Sequence, residues 1–206
     1  MDWSDSWRGA FRIELRAEAI GLAWRGWPVL PGTYPTAAGW AGRDGIQTDG
    51  PVPVHQDWAD RVGTQPDQVA TWWSGRPYSL LVATGTVLDA IEVDAELGRR
   101  AAIELRAAGV IVPIAATPSG RWLFLTDTGA PLREELADQE GIVLHGKDSY
   151  IPLPPSPFQH GVAHWRVKPQ LCGWNLPSSE IVQDALSLAL RSDVVDNAAR
   201  LVTAER

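Results

Sequence analysis

The sequence contains few cysteines and no long apolar run. Its 206 residues include a single cysteine, Cys172, which excludes an internal disulfide and leaves no cysteine pair for a zinc site. No run approaches the ~20 apolar residues that a membrane-spanning helix needs. Residues 1–5 lack the basic start of a signal peptide. We therefore expect a cytoplasmic protein without a membrane partner.

Positive charge is also scarce. The chain has 18 Lys and Arg residues against 25 Asp and Glu residues, a formal net charge of −7, and only Lys147 and Lys168 are lysines. A molecule of this charge repels polyanions, so any contact with nucleic acid requires a local basic patch. The segment 145–168 contains both lysines and Arg166, and it is the predicted patch. The alternative interpretation is an ordinary solvated surface.

Tryptophan is the residue type in clearest excess, with 11 copies. Each indole offers a flat surface on which a nucleic-acid base can stack. Tryptophan also fills protein cores, because it combines a large apolar area with a single hydrogen-bond donor. Packing in the core is the more common role, and the composition leaves both interpretations open.

Hydrophobic periodicity predicts a mixture of helices and strands. Residues 95–108 form a helix between two strands, and residues 32–53, rich in glycine and proline, form a long flap. The chain after the prolines at 154–157 is predicted to be a loop as far as Trp165. The predicted helices cover residues 8–24, 65–73, 95–108 and 178–190, and the predicted strands cover 27–31, 78–94 with a bend at 84–86, 110–114, 121–125, 142–144 and 150–152.

The strand that ends in Glu92-Val93-Asp94 carries the main candidate site. Side chains two apart on a strand share a face, so the pattern turns Ile91 and Val93 toward the core and both carboxylates away from it. Two carboxylates on one face could bind one divalent cation. The alternative is a solvated pair in which Asp94 caps the helix that follows.

Five features occur in an order that resembles the bifunctional DNA primase/polymerase (prim-pol) branch of the archaeo-eukaryotic primase superfamily. The resemblance covers roughly residues 8–175. The features are an N-terminal helix leading into Arg25-Gly26-Trp27-Pro28-Val29-Leu30-Pro31, the pair Trp72-Trp73, the acidic pair Glu92 and Asp94, Thr117-Pro118-Ser119-Gly120 before an aromatic strand, and Tyr150-Ile151-Pro152-Leu153-Pro154-Pro155-Ser156.

The resemblance implies an α/β (α+β) fold. It predicts a two-layer prim-pol-like body with a central mixed sheet, a half that is similar to an RNA-recognition motif, and helices at both termini. We expect residues 1–175 to form the domain and residues 176–206 to form a helical extension packed on it.

The resemblance also implies a site with three parts. In that family an acidic pair and a later acid hold magnesium or manganese, and a histidine two residues after a small residue contacts the incoming triphosphate. Glu92 and Asp94 match the acidic pair, as Mg²⁺ or Mn²⁺ ligands. Trp122 best matches the histidine, and His145 lies where the third acid is expected. Histidine is a poor replacement for an oxygen ligand of magnesium.

The candidate residues follow from this match. The catalytic candidates are Glu92, Asp94 and His145. Three other acids could replace the missing one, namely Asp89, Asp127 and Asp148. The substrate-binding candidates share positions on or near the matching segments, and they are Ser119, Arg121, Trp122, Lys147, Arg166 and Lys168.

Three functions remain open. The first is a metal-dependent primase/polymerase-type nucleotidyltransferase. The second is a non-catalytic relative that binds nucleotide or single-stranded nucleic acid, DNA included. The third is a regulatory module that binds a protein partner through the old cleft or the flap at 32–53. Because two of the three parts of the site are altered, the sequence favours loss of catalysis.

Overall fold

A computed structural model describes the backbone of residues 3–204 and the side chains of residues 11–192. Within this part of the chain the helices and strands alternate irregularly. The helices are α1 (Trp3–Ala23), α2 (Pro66–Trp72), α3 (Ala95–Ala107), α4 (Glu134–Ala137) and α5 (Ser179–Ala204). The strands are β1 (Val29–Gly32), β2 (Tyr34–Thr36), β3 (Gly39–Ala41), β4 (Ser79–Ala83), β5 (Asp89–Asp94), β6 (Ile114–Ala116), β7 (Arg121–Thr126), β8 (Val143–His145), β9 (Tyr150–Pro152), β10 (Pro157–Phe158), β11 (Gly161–Val162) and β12 (His164–Val167).

The larger sheet has five strands in the order β12-β6-β7-β5-β8. The chain follows β5-α3-β6-β7-α4-β8, which is the split βαβ arrangement of an RNA-recognition-motif-like half. The predicted mixed α+β fold with helices at both ends is confirmed. One detail differs from the expectation: the described strand pairs are antiparallel, not mixed. The reason is that β7 lies between β5 and β6, which run parallel to each other without pairing.

The smaller sheet has the order β1-β4-β9, with both pairs antiparallel. The predicted apolar run 78–94 therefore supplies β4 to this sheet and β5 to the larger one. The residues between β8 and β9 join the two sheets, where the Thr84 N–H donates to the Ser149 carbonyl at 2.9 Å. The predicted flap contains the hairpin β2–β3.

Two apolar clusters lie on opposite faces of the larger sheet. The first includes Ala90 of β5 and Leu123 of β7 together with residues of α1 and the smaller sheet. The second includes Ile91 and Val93 together with residues of α3 and α5. Both faces of β5 are therefore covered. The prediction that its carboxylate face points away from the core is wrong, because Ala90 on that face is fully buried.

Two further predictions need correction. The strand expected at 110–114 begins at Ile114, because Val110 still closes the end of α3 through a bond from its N–H to the Leu105 carbonyl. The segment expected to be a loop contains β10, β11 and β12, and β12 forms one edge of the larger sheet. Within residues 3–204, no helix is both long enough and apolar enough to cross a membrane.

Gly98 allows α3 to pack closely on Trp122 of β7. A Cβ at Gly98 would lie 2.9 Å from the buried indole ring. We expect Gly98→Ala to lower the free energy of unfolding by about 1–3 kcal/mol because the core would be overpacked. The control is Gly21→Ala in α1, where no atom lies within 4 Å and alanine should stabilise the helix by about 0.5–1 kcal/mol. Urea unfolding measures both, and a stabilised Gly98→Ala variant would contradict this packing.

Candidate functional site

Glu92 lies at the centre of an ionic network on the larger sheet. In the register its strand neighbours are Leu123 of β7 and Val143 of β8, so the residues two positions along these strands share its face. The Arg121 Nε donates to one Glu92 oxygen at 2.6 Å. The His145 Nε2 donates to the other at 2.7 Å. Three adjacent strands thus meet at one carboxylate.

Both partners of Glu92 make a further hydrogen-bonding contact. The His145 Nδ1 and the Ser149 hydroxyl are 3.1 Å apart, and Ser149 lies where the chain enters β9. On the other side, Arg121 also donates to the Gly141 carbonyl. The network therefore links β7, β5 and β8 to the connection between the two sheets.

The Glu92 carboxylate is held in its ionised form. Burial raises its pKa, but the hydrogen bonds and charges of His145 and Arg121 outweigh burial, and the pKa falls below the ordinary value of 4.5. Its side chain is 23% exposed, so water screens the ion pair of Glu92 and Arg121 only in part. The charge of Glu92 is thus compensated by side chains of the protein itself.

Asp94 has a different set of contacts. It is the N-cap of α3, and one carboxylate oxygen accepts from the N–H groups of Glu96 and Leu97 at 2.8 and 2.9 Å. A cap of this kind satisfies helix N–H groups that have no partner within the helix. The helix-cap interpretation left open by the sequence thus describes an observed contact, while a role as metal ligand stays a prediction.

The donor set around Glu92 does not fit a pair of divalent cations. Mg²⁺ and Mn²⁺ prefer oxygen ligands, yet both Glu92 oxygens accept from nitrogen and one Asp94 oxygen caps a helix. Among the residues that the structure describes, no group of three His, Cys, Asp or Glu side chains could hold a metal ion.

The three alternative acids have contacts or backbone settings of their own. Asp89 lies at the start of β5 on the face of Ile91, and it accepts from the Gly129 N–H at 2.9 Å. Asp127 accepts from the Ser179 N–H at the start of α5, also at 2.9 Å. Asp148 occupies a left-handed turn with φ of 59°. Whether any of them acts as a ligand stays a prediction.

The structure separates Trp122 from Glu92. Trp122 packs on Gly98 on the opposite face of the sheet, and Arg166 lies over its ring at 5.0 Å from the centroid. Arg121, two residues after Ser119, lies on the Glu92 face instead. Sequence reasoning named Arg121 as a substrate contact and missed it as the partner of Glu92, although strand alternation from Leu123 back to Arg121 carried that signal.

The predicted basic patch is divided. Lys147 lies in the turn between β8 and β9. Its backbone packs closely against Gly85, because a Cβ added at Gly85 would lie only 2.4 Å from the Lys147 Cα. Arg166 lies over Trp122. Burial raises the pKa of Glu18 of α1, and Lys168 lies close enough to that carboxylate to oppose the rise in part. These three cations thus occupy three different settings.

Comparison with known proteins identifies the family. The family model for the bifunctional DNA primase/polymerase N-terminal domain matches residues 19–181. This range contains both sheets and the whole Glu92 network. No curated protein matched the chain significantly. The family resemblance predicted from the order of motifs is confirmed.

We expect the Glu92 network to stabilise the protein in a pH-dependent way. Because folding lowers the pKa of Glu92, its contribution is present above the unfolded value of 4.5 and is lost as the pH falls through the folded pKa. Glu92→Gln should lower the free energy of unfolding by about 1–3 kcal/mol at pH 7 because the Arg121 guanidinium loses its ionised acceptor. The difference in the free energy of unfolding between Glu92→Gln and the parent protein should decrease as the pH falls.

Urea unfolding between neutral and acidic pH measures this effect. The control is Glu96→Gln, which removes a carboxylate that is 74% exposed and pairs with Arg100. Such an exposed pair contributes about 0–1 kcal/mol. Equal losses in the two variants, or a Glu92→Gln loss that does not change with pH, would disprove the assignment.

Proposed function

The chain belongs to the bifunctional DNA primase/polymerase N-terminal family, and we propose that it binds nucleotide or single-stranded DNA without metal-dependent nucleotidyl transfer. The family supports a domain of the primase/polymerase type that interacts with nucleotide or DNA. Members generally use divalent metals. The proposal retains nucleotide or DNA as the ligand and excludes metal-dependent nucleotidyl transfer.

The observation that carries this proposal is the pairing of Glu92 with Arg121 and His145. Phosphoryl transfer depends on charge stabilisation, and in metal-dependent enzymes shared carboxylates hold the ions that supply it. Here both oxygens of the central carboxylate accept from cationic or neutral nitrogen donors. A divalent cation at Glu92 would have to compete with Arg121 and His145 for the carboxylate, so we derive no catalytic step through a metal.

The β6–β7 turn supports a role in ligand binding. The Thr117 and Ser119 hydroxyls are 2.8 Å apart. The backbone N–H of Arg121 donates to the Thr117 hydroxyl at 3.2 Å. Hydroxyl and guanidinium groups are common partners of phosphate oxygens. We propose Ser119 and Arg121 as contacts for a ligand phosphate beside the Glu92 network.

We also propose the division of the chain into a domain at 1–175 and an extension at 176–206, whose outermost residues lie outside the described part. The packing of α5 supports this proposal, since Val182 and Leu186 are fully buried against α3 and the larger sheet. The Gln183 side-chain oxygen also accepts from the Arg133 backbone N–H at 2.8 Å.

Metal dependence separates this proposal from an active polymerase. With Mn²⁺, a primed template and labelled nucleotide, we expect no strand extension above the level of Glu92→Gln. Binding of a labelled single-stranded oligonucleotide should be the same with EDTA as with Mn²⁺, because no metal bridges ligand and protein.

The matched control for this assay is Glu96→Gln, an exposed carboxylate on α3. Extension that requires Mn²⁺, is lost in Glu92→Gln and persists in Glu96→Gln would refute the proposal in favour of the enzyme. Absence of extension together with absence of binding to both the oligonucleotide and a free nucleotide would also refute it.

A further inference from the structure

Glu92, His145 and Ser149 form a continuous chain of hydrogen-bonding groups where the connection from β8 to β9 joins the two sheets. The His145 Nε2 lies 2.7 Å from a Glu92 oxygen, and the His145 Nδ1 lies 3.1 Å from the Ser149 hydroxyl. An acid, an imidazole and a serine hydroxyl in this order are the parts of a nucleophilic serine site, in which the imidazole is the base and the acid orients it. Ser149 has no part in the proposed function.

Glu92 determines which nitrogen of His145 carries the hydrogen. An ionised carboxylate only accepts, so the imidazole nitrogen that faces it must be the donor. In a neutral imidazole the other nitrogen is then an acceptor, and here that nitrogen is Nδ1, which faces the Ser149 hydroxyl. The two ring nitrogens have exchanged the places that they hold in serine proteases. Proton transfer from the serine requires only that the nitrogen facing it is unprotonated.

The turn that carries Ser149 is bonded to the smaller sheet at both of its ends. The Thr84 hydroxyl donates to the Gly146 carbonyl at 2.6 Å, and the Thr84 N–H donates to the Ser149 carbonyl at 2.9 Å. Between these bonds Asp148 has a left-handed backbone with φ of 59°, which is uncommon for a residue other than glycine. These contacts fix the position of the Ser149 backbone beside His145, and a fixed geometry is what a nucleophile and its base require.

The exposure of the three side chains limits the size of a reactant. His145 is 19% exposed and Glu92 is 23% exposed, and Ser149 is partly buried. Water and a small molecule can therefore reach the hydroxyl, while a bulky acyl group would meet the surrounding strands. The arrangement thus favours a small substrate.

We infer that Ser149 is a nucleophile toward small carboxylic esters, with His145 as its general base and Glu92 as a positioning residue. The Ser149 oxygen attacks the ester carbonyl carbon, and its proton passes to the His145 Nδ1. The bond between the acyl carbon and the alcohol oxygen then breaks, and the alcohol leaves with that proton. Water attacks the acyl-serine with the same imidazole as base, the proton returns to the Ser149 oxygen, and the carboxylic acid is released. This activity goes beyond the proposed function and does not depend on it.

The test uses the full chain and a labelled fluorophosphonate, which forms a covalent bond with activated serine hydroxyls. In the presence of EDTA we expect an adduct that peptide mass spectrometry locates at Ser149 and that Ser149→Ala does not form. The ester p-nitrophenyl acetate provides a second readout, because formation of the acyl-serine releases p-nitrophenol in a burst. The urea-unfolded chain is the blank, since it lacks the hydrogen-bonded arrangement.

The base is tested by His145→Gln. This variant should lower the rate of adduct formation by about 10²–10⁴-fold, the usual contribution of a general base. The matched controls are Ser74→Ala and His164→Gln, which change an exposed serine and an exposed histidine elsewhere and should react at the parent rate. His164 lies on β12, at the opposite edge of the larger sheet from β8. Thermal unfolding of each variant verifies that it is folded.

The positioning role of Glu92 has a spectroscopic test. Nitrogen NMR of the parent at neutral pH should show a neutral His145 with its hydrogen on Nε2. In Glu92→Gln the side-chain amide can donate to Nε2 and so favour the tautomer with the hydrogen on Nδ1, and adduct formation should fall as it does in His145→Gln. Glu92→Asp retains a carboxylate acceptor and should keep part of the parent rate.

Several results would overturn the inference. They are a parent that reacts no faster than the unfolded chain, a Ser149→Ala variant that forms the same adduct, a His145→Gln variant that reacts at the parent rate, and an NMR spectrum in which the His145 Nδ1 of the parent is protonated. An adduct at Ser149 without a burst from p-nitrophenyl acetate would overturn the assignment of esters as substrates. None of these measurements involves an oligonucleotide or a nucleotide, so the proposed function is tested separately.

Discussion

The half-buried carboxylate of Glu92 is the constraint on which the arrangement of the larger sheet depends. A charge removed from water is costly unless hydrogen-bond donors compensate it, and here Arg121 and His145 supply them from the strands on either side. A slip of one residue in β7 would turn Arg121 to the opposite face. The ionic network thus requires one register across β7, β5 and β8.

The fold and the side chains of the candidate site carry different information about this chain. Residues 19–181 match the prim-pol family, and the β5-α3-β6-β7-α4-β8 order is that of an RNA-recognition-motif-like half. A fold can host different functions, because activity depends on the side chains at the site. In this chain an arginine and a histidine hold the central carboxylate, and this pairing is the basis of the proposal of ligand binding without a metal step.

Much of the fold and part of the site could be predicted from local pattern. Periodicity located α1, α2, α3 and the start of α5, and alternation placed Glu92 and Asp94 on one face. The edge strand β12 was missed because it is short and three of its four residues pair with a strand about fifty positions earlier. The match of Trp122 to the family histidine does not depend on the face of β7 that the side chain occupies. In the structure the Trp122 ring lies on the face of α3, where Gly98 leaves room for it.

The sequence by itself determined the helix periods, the acidic pair on β5 and the family, because each depends on residues that are close along the chain. The tertiary structure alone decided the partners of Glu92 and the division of the predicted basic patch. The physical reason is that strand pairing and helix packing join residues far apart in sequence. Such contacts depend on distances in space that spacing along the chain does not encode.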